Sequence, residues 1–410
     1  MFSFRSGIVH CAAIFLLVGA IGCLSSTNVG WVSTWAASPA PPPTGYPYFK
    51  NQTLREIVRV SVGGTALRVT FSNLFGTEAL EIAAAHVAIS ESGSTILPTT
   101  DRTLTFTGSP NCLIPPGQSI TSDALEMSIP ALTSLAVSFY LPTEVLNPTI
   151  HPVALETTYV SQGDQVGDAE IAANSTITSW PFLTTVEVRP GETNGAVVAL
   201  GDSITDGFGS TLNANHRWTD VLADRLLVPN GRGTAVLNAG LSGNRLLHDA
   251  PEGYPWYGPD ALNRFDGDVL GQSGVKYVVV LEGLNDIGLP GYVAPESDQV
   301  TSSQLTAGLL QLIQRAHSRG ISVYGGTLTP FEGAAYPGYY SPAKEAERQQ
   351  VNQWIRSSES FDAVIDFDQA VRDPDHPARL LPQYDSGDHL HPNDAGYHAM
   401  GSAVELGWFQ

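Results

Sequence analysis

The chain of 410 residues is poor in lysine and in charge. It has three lysines, Lys50, Lys276 and Lys344, and its charged fraction of 15% lies well below that of ordinary domains. Forty acidic residues against twenty basic ones give a formal net charge of −20. Because phosphate binding needs clustered cations, this balance argues against nucleic acid or an anionic membrane surface as a partner.

Cysteine is also scarce. Of three cysteines, Cys11 and Cys23 lie near the N-terminus, and Cys112 stands alone in the remaining chain. This distribution excludes a disulfide framework within a mature chain, so stability has to come from a buried core. The length is ample for such a core and predicts two domains or a single large one.

The first residues have the layout of a signal peptide. Arg5 supplies a positive charge. The segment from Ile8 to Cys23 contains no charged residue, and small residues follow it. The strongly apolar part is shorter than the roughly 20 residues that a membrane span needs. We therefore expect a signal peptide over residues 1–22 and a secreted protein. The alternative, for a bacterial source, is a lipid anchor on Cys23, although Ala20 stands where leucine is usual.

The pattern of the chain changes near residue 190. Over residues 31–190, short alternating segments such as IVRVSVGG and LAVSFYL are separated by Gly, Pro, Asn and Ser turns. This predicts a β-rich, sandwich-like accessory domain. Two N-glycosylation sequons, at Asn51 and Asn174, would carry glycans if the source is eukaryotic.

From residue 195 to 410, apolar strands alternate with helical segments. Near-continuous apolar strands joined by helices indicate a parallel sheet that is covered on both faces, so this part predicts a doubly wound α/β domain. In such a domain the site lies beyond the carboxyl ends of the strands. The predicted buried strands are 197–200, 235–240, 277–283, 322–328 and 363–367.

Ser203 lies where the first of these strands ends. The segment VVAL-Gly201-Asp202-Ser203 runs from a buried strand into a Gly-flanked turn before a predicted helix, whose free N–H groups favour negative charge. By itself this segment fits a capping or turn serine as well as a nucleophile. It is not the G-x-S-x-G elbow of α/β-hydrolases, because Thr205 occupies the position of the final glycine.

A second polar segment, Asp388-His389-Leu390-His391-Pro392, follows the last predicted strand. The proline suits a helix start, and Asp388 can accept a hydrogen bond from one imidazole nitrogen of His391. That bond would fix the tautomer and leave the other nitrogen to take a proton from a serine. Two alternatives stay open: a metal site on Asp388, His389 and His391, for which no further ligand cluster is evident, and a purely structural turn.

The loops after the second and third strands add hydrogen-bond donors. The segment NAGLSGN contains Gly240 and Gly243, where a backbone N–H can approach a substrate closely, and GLND contains Asn285 with a neutral amide. With the Ser203 N–H, these groups would hold the oxygen that becomes negative during acyl transfer. Four loops at one sheet edge then supply a nucleophile, a base, an orienting acid and oxyanion donors.

In this order, the four blocks GDS, NAGLSGN, GLND and DHLH resemble the SGNH, or GDSL, hydrolase superfamily over about residues 195 to 407. The resemblance implies a flavodoxin-like three-layer fold and hydrolysis of carboxylic esters without a metal or organic cofactor. It implies a triad of Ser203, Asp388 and His391. The N-terminal β-rich region, beginning WVSTWAASP, resembles a region of some secreted members.

The same resemblance implies an oxyanion hole of Ser203, Gly243 and Asn285, with Gly240 as the competing glycine. The substrate is less well indicated. Trp256 and Tyr336 are candidates for stacking on a sugar ring or lining an acyl pocket, and equally for packing within their loops.

Asn244 and Arg245 are candidates for polar contacts to the substrate. The sequence as a whole predicts a secreted serine esterase that acts on short-chain acyl esters or acetylated carbohydrates. The alternative from a different class is a carbohydrate-binding or adhesive protein with a vestigial hydrolase domain.

Overall fold

The computed structural model describes residue 1, residues 30–227 and residues 232–409. The predicted signal peptide lies outside the described residues except for Met1, and so does Cys23 as the alternative lipid-anchor site.

The regular elements of residues 32–188 are β-strands, many of them short, apart from one 3-10 turn at Pro98–Thr100. The strands are β1 (Val32–Ala36), β2 (Gln52–Arg59), β3 (Gly64–Ser72), β4 (Leu80–Ile82), β5 (Ala84–Ser92), β6 (Thr95–Ile96), β7 (Arg102–Thr103), β8 (Cys112–Ile114), β9 (Ser119–Thr121), β10 (Leu125–Ile129), β11 (Ser134–Leu141), β12 (Ile150–His151), β13 (Thr158–Gln162), β14 (Ser175–Ile177), β15 (Trp180–Pro181) and β16 (Leu183–Val188).

Two antiparallel sheets share one core in this region. The first has the order β1-β16-β3-β10 with β9 also on β3, and the second has the order β14-β13-β2-β11-β5-β6 with β7 also on β5. Phe71 of the first sheet and Phe139 of the second lie with their ring centroids 5.1 Å apart. Both are buried, so apolar contact across the gap holds the sheets together. The boundaries 31–190 and 195–410 stay predictions.

The two sequon asparagines lie on the surface of this region. Asn51 and Asn174 are exposed. The side-chain oxygen of Asn51 accepts a hydrogen bond from Tyr140, and that of Asn174 accepts one from the Gln162 N–H. Glycosylation at these positions stays a prediction.

The core of the β-rich region contains one carboxyl group that lacks a partner. Leu54, Glu56 and Val58 are alternate residues of β2 and point to the same face, into the core. Glu56 is fully buried, and neither of its side-chain oxygens has a hydrogen-bond partner among the described residues. Burial raises the pKa of Glu56 well above its ordinary value, because it penalises the charged form.

The rest of the described chain is an α/β domain around one parallel sheet. Its strands occur in the order β18-β17-β19-β20-β21, and each neighbouring pair is parallel. They overlap the five predicted strands. The apolar runs of the first four are buried, as expected for a sheet covered on both faces, whereas Ala363 and Val364 of β21 are half-buried. The strands are β17 (Glu192–Gly201), β18 (Arg232–Gly240), β19 (Val275–Leu281), β20 (Ser322–Gly326) and β21 (Ala363–Ile365).

Among the described residues, α2, α5, α6 and α8 have nine or more residues each, whereas α1, α3, α4 and α7 have four or five. Asn393 caps α8, which begins at Asp394, so Pro392 lies two residues before the helix. None of the helices in the described part of the chain is long and apolar enough to cross a membrane. The helices are α1 (Ser203–Asp206), α2 (Trp218–Leu226), α3 (Ala261–Phe265), α4 (Leu284–Gly288), α5 (Ser302–His317), α6 (Pro342–Ser357), α7 (Phe367–Val371) and α8 (Asp394–Ala403).

Candidate active site

The site forms where β17 and β18 end side by side. Gly201 at the end of β17 pairs with Gly240 at the end of β18. A Cβ atom on Gly240 would lie 2.2 Å from the backbone nitrogen of Asp206, so only glycine lets α1 pack directly against this strand end. Ser203 is the first residue of this helix, and the side chain of Asp202 caps it.

Ser203, His391 and Asp388 form a continuous chain of hydrogen bonds. The Ser203 hydroxyl lies 2.8 Å from His391 Nε2, although 188 positions of sequence separate the two residues. His391 Nδ1 lies 2.5 Å from Asp388 Oδ2. An ionised carboxylate only accepts hydrogen bonds, so Nδ1 carries a proton and Nε2 is free to accept one from the serine.

The carboxylate of Asp388 is held by its own loop. Its Oδ1 accepts hydrogen bonds from the backbone N–H groups of Leu390 at 3.0 Å and His391 at 2.9 Å. Its Oδ2 also accepts one from the Tyr336 hydroxyl at 3.2 Å. Burial by itself would raise the pKa of Asp388, but the hydrogen bonds and charge of His391 and the Leu390 N–H hold it below the ordinary value. Asp388 therefore stays a carboxylate that orients the imidazole.

Gly243 lies in a tight turn that follows β18. The Asn244 N–H donates to the Leu241 carbonyl at 3.0 Å, and Gly243 has a φ of 83°, which glycine adopts without strain. A Cβ atom here would lie 2.2 Å from the ring of Tyr257. Within residues 30–227 and 232–409, no acceptor engages the Gly243 N–H, whereas the Gly240 N–H donates to a side-chain carbonyl of its own strand at 2.8 Å. Gly243 thus has a free donor and Gly240 does not.

The amide of Asn285 is fixed at both ends. Its Nδ2 donates one hydrogen to the Asn244 carbonyl at 2.9 Å, and its Oδ1 accepts a hydrogen bond from the Tyr339 hydroxyl at 2.8 Å. The second Nδ2 hydrogen has no acceptor among the described residues, and the same holds for the Ser203 backbone N–H. These two donors and the Gly243 N–H are the unpaired donors of the predicted oxyanion set.

Asn244 and Arg245, the predicted polar contacts to the substrate, have their side chains engaged inside the protein. Asn244 Nδ2 donates to two loop carbonyls at 2.7 Å each, and its Oδ1 accepts a hydrogen bond from Arg264 at 2.7 Å. Arg245 is 3% exposed and pairs with Asp298 at 2.9 Å. Both residues therefore support the loop from within.

The two predicted aromatic contacts occupy different places. Trp256 packs against the ring of Tyr254 with centroids 5.1 Å apart, while the ring of Tyr336 lies 6.3 Å from that of His391. Sequence reasoning missed Phe208, whose ring lies 4.5 Å from the His391 ring and is 39% exposed. The signal was available, since Phe208 directly follows the glycine that ends the nucleophile helix.

Buried charges support the strand ends below the site. Arg264 donates to the Gly201 carbonyl at 2.8 Å and lies 3.5 Å from Glu282. Burial raises the pKa of Asp202 to about 6 and that of Asp286 to about 7, because both carboxyl groups are removed from water. The Asp286 carboxylate accepts hydrogen bonds from two backbone N–H groups of the loop after β18. These bonds connect the loop after β18 to the helix that follows β19.

The residues considered for a metal site do not converge. His391 uses one nitrogen on Ser203 and the other on Asp388, and His389 pairs with Asp385. Across the described ranges, no group of three His, Cys, Asp or Glu side chains is arranged to hold a metal ion.

The parallel sheet with its site at the carboxyl edge defines an α/β hydrolase-like domain. Residues 199–399 match the model of the GDSL-like Lipase/Acylhydrolase family, and this part of the chain belongs to that family. The protein is accordingly a carboxylic ester hydrolase. A search of curated proteins found no match.

Several solved structures are similar to about half of the chain. A G-D-S-L family protein from Desulfitobacterium hafniense is 22% identical, covers 51% of this chain and 97% of its own, and has a TM-score of 0.38. An aryl esterase from M. smegmatis is 16% identical over 51% of this chain and 95% of its own, with a TM-score of 0.41. A carbohydrate acetylesterase from Sinorhizobium meliloti is 17% identical over 51% and 95%, with a TM-score of 0.38.

Proposed function

We propose that this protein cleaves carboxylic esters through an acyl-enzyme intermediate on Ser203, with His391 as general base and acid and Asp388 as the orienting carboxylate. The observation that carries the proposal is the 2.8 Å separation between the Ser203 hydroxyl and His391 Nε2, with Asp388 on the opposite nitrogen. Nucleophile and base within hydrogen-bond reach, with the base oriented by a third group, is the arrangement that activates a serine.

The reaction follows from these positions. His391 Nε2 takes the hydroxyl proton while Ser203 Oγ bonds to the carbonyl carbon, and the carbonyl π electrons move onto the oxygen. When this intermediate collapses, the bond to the alcohol oxygen breaks and the His391 proton passes to the departing alcohol. Water then adds to the acyl group, losing a proton to the same nitrogen, and the carboxylic acid leaves as the proton returns to Ser203.

The negative oxygen would be held by the N–H groups of Ser203 and Gly243 and by the Asn285 amide. The unpaired state of the Gly243 N–H supports Gly243 over Gly240 for this role. Donors that are fixed before the reaction stabilise the charge without reorganising as it develops. The two bonds that hold the Asn285 amide provide this fixation.

We propose a substrate with a small acyl group, such as an acetylated carbohydrate or another short-chain ester. The ring of Tyr257 against Gly243 and the rings of Phe208 and Tyr336 beside His391 restrict the space around the reacting atoms. The exposed part of Phe208 offers an apolar surface to the alcohol portion of the ester.

Two further expectations belong to this proposal. The strand order β18-β17-β19-β20-β21 supports a flavodoxin-like arrangement of the hydrolase domain. The N-terminal pattern supports secretion, and sequencing the N-terminus of the protein recovered from culture medium would test both secretion and cleavage.

Replacing the nucleophile tests the reaction. Ser203→Ala should lower kcat on p-nitrophenyl acetate by at least about 10⁴-fold and abolish labelling by a fluorophosphonate probe, because both need the Oγ atom. Ser303→Ala, at an exposed position of α5, is the matched control and should behave like the wild type. A Ser203→Ala protein that hydrolyses the ester at the wild-type rate would refute the assignment.

A panel of p-nitrophenyl esters from acetate to decanoate, together with acetylated sugars, tests the substrate class. We expect kcat/KM to be highest for acetate or butyrate. A decanoate ester that is cleaved tenfold faster than acetate would exclude the small acyl pocket.

A further inference from the structure

A buried imidazole from the β-rich region reaches the nucleophile helix of the α/β domain. His151, in β12, is 4% exposed, and its Nε2 lies 3.0 Å from Oδ1 of Asp206. Asp206 is the last residue of α1, the helix that Ser203 begins, and is 2% exposed. The imidazole also packs against the ring of Trp180, with centroids 5.5 Å apart. The two parts of the chain thus meet at the end of the helix that Ser203 begins.

The partners of His151 indicate that this contact is an ion pair. Its Nδ1 lies 2.9 Å from the Ser38 carbonyl, and its Nε2 faces the Val153 carbonyl at 3.3 Å as well as Asp206. Carbonyl and carboxylate oxygens only accept, so an imidazole with acceptors on both nitrogens fits the doubly protonated form. Burial lowers the pKa of His151, but the charge and hydrogen bond of Asp206 more than offset this effect and raise it above the ordinary value.

The other oxygen of Asp206 holds the turn that contains Gly243. Asp206 Oδ2 accepts hydrogen bonds from the Ser242 N–H at 3.0 Å and from the Ser242 hydroxyl at 2.6 Å. Ser242 directly precedes Gly243, and the N–H of Gly243 belongs to the peptide that joins them. One carboxylate therefore connects the imidazole of His151 to the peptide whose N–H faces the proposed oxyanion.

We infer that His151 is a positioning residue for ester hydrolysis: it holds Asp206 in the rotamer that fixes Ser242, and thereby places the Gly243 N–H. This inference rests on the proposed function. It assigns the β-rich region a part in the chemistry of the α/β domain beyond packing against it. Displacing a reacting or stabilising group by about 1 Å can cost on the order of 100-fold in rate, so a small shift of this turn is sufficient for a measurable effect.

Without His151, the buried Asp206 carboxylate would lose its cationic partner. A buried charge that loses its partner is strongly destabilised, and it regains solvation by turning towards water or another donor. The cavity between the two parts of the chain gives Asp206 room to reach water or another donor. Arg217 and Asn215 line this cavity together with His151, Glu156 and Asp206. Turning of Asp206 would release Ser242 and loosen the Gly243 turn.

The test compares His151→Gln with His86→Gln. His86 lies in the same β-rich region and pairs with Asp101 at 2.9 Å, so it provides the same substitution in a His–Asp pair away from the α/β domain. We expect His151→Gln to lower kcat/KM on p-nitrophenyl acetate by about tenfold to a hundredfold, and His86→Gln to leave it within about twofold of the wild type.

A second readout separates positioning from general loosening. Phenylboronic acid forms a tetrahedral anionic adduct with a serine hydroxyl, and the oxyanion donors bind its negative oxygen. An uncharged ether analogue of the ester has no such oxygen and does not use these donors. His151→Gln should weaken boronic acid binding by the same factor as kcat/KM and leave binding of the ether analogue unchanged. Equal weakening of both inhibitors, or unchanged kcat/KM in a folded variant, would overturn the inference.

Ser242→Ala keeps the test decisive if His151→Gln does not fold. This variant removes one hydrogen bond to Asp206 and leaves the charge pair intact, so we expect a loss of boronic acid affinity of about threefold to tenfold. Unchanged affinity would also overturn the inference. Wild-type hydrolysis and fluorophosphonate labelling at Ser203, measured in parallel, show separately whether the proposed function itself holds.

Discussion

The hydroxyl of Tyr339 donates a buried hydrogen bond of 2.8 Å to the side-chain oxygen of Asn285. Tyr339 is 3% exposed and comes from the loop before α6, whereas Asn285 lies in α4. An amide group has two similar ends, and only the nitrogen end can stabilise a negative oxygen. By occupying the oxygen end, Tyr339 sets which way the amide points.

Tyr339→Phe should therefore lower kcat on small aryl esters by about tenfold, less than the loss expected for removing an oxyanion donor outright. The fold should persist, because the ring still packs in the same place and about 1 kcal/mol of hydrogen bonding is lost. Tyr340→Phe, one residue further on, is the matched control. A Tyr339→Phe enzyme with wild-type kcat would show that the Tyr339 hydroxyl is not required to orient the Asn285 amide.

Asp388→Asn should lower kcat on the order of 10³- to 10⁴-fold, because an amide can leave His391 in the wrong tautomer while preserving the shape of the loop. Steady-state kinetics with circular dichroism as a check on the fold would measure this loss. A variant with more than a tenth of the wild-type kcat would contradict the orienting role.

Asp388→Asn should also reduce the loss of unfolding free energy that the protein shows at acidic pH. The pKa of Asp388 is lowered in the folded protein, so its contribution to the free energy of unfolding is complete above the ordinary value of about 3.9. It is lost as the pH falls through the lower folded pKa. Melting at pH 6 and pH 3 should show a smaller decline for Asp388→Asn than for the wild type or the exposed control Asp375→Asn. Equal declines in all three proteins would refute this contribution.

Glu56→Leu should stabilise the protein at pH 8 by about 1–3 kcal/mol, because it removes a buried carboxyl group whose oxygens lack partners. The folded pKa of Glu56 is raised, so the wild type loses stability as the pH rises above the ordinary value of about 4.3. The gap between variant and wild type should therefore widen from pH 4 to pH 8. Glu91→Leu, at an exposed position of β5, is the control for the same substitution. A Glu56→Leu protein that melts below the wild type at pH 8 would indicate a partner for this carboxyl group.

The strands of the α/β domain could be predicted because they are long apolar runs, as in the segment that becomes β19. Such runs gain free energy by burial whatever their neighbours are. Short elements such as α4 and α7 lack a repeating apolar pattern, and it is their tertiary contacts that stabilise them. The positions of Ser203, Asn285 and His391 followed from one rule, that parallel strands end at the same edge of a sheet.

Supporting contacts that do not involve the strand ends could not be predicted from the sequence. Nothing in the segments around Tyr339 and His151 indicates that one reaches Asn285 and the other Asp206. Trp256 was a reasonable candidate from its loop, yet it packs on a neighbouring ring, while Phe208 lies against His391. Which aromatic side chain of a loop contacts the site depends on tertiary packing, and the local sequence pattern does not indicate it.

By itself, the sequence determined the order of strands and helices, the residue types that can carry acyl transfer, and their places at strand ends, because these depend on local pattern and strand direction. Only the tertiary structure decided which donors stay unpaired, how the Asn285 amide points, and that His151 of the β-rich region reaches Asp206. Those outcomes depend on distances of about 3 Å between side chains far apart in the chain, and a hydrogen bond is lost when such a distance grows by half an ångström or more.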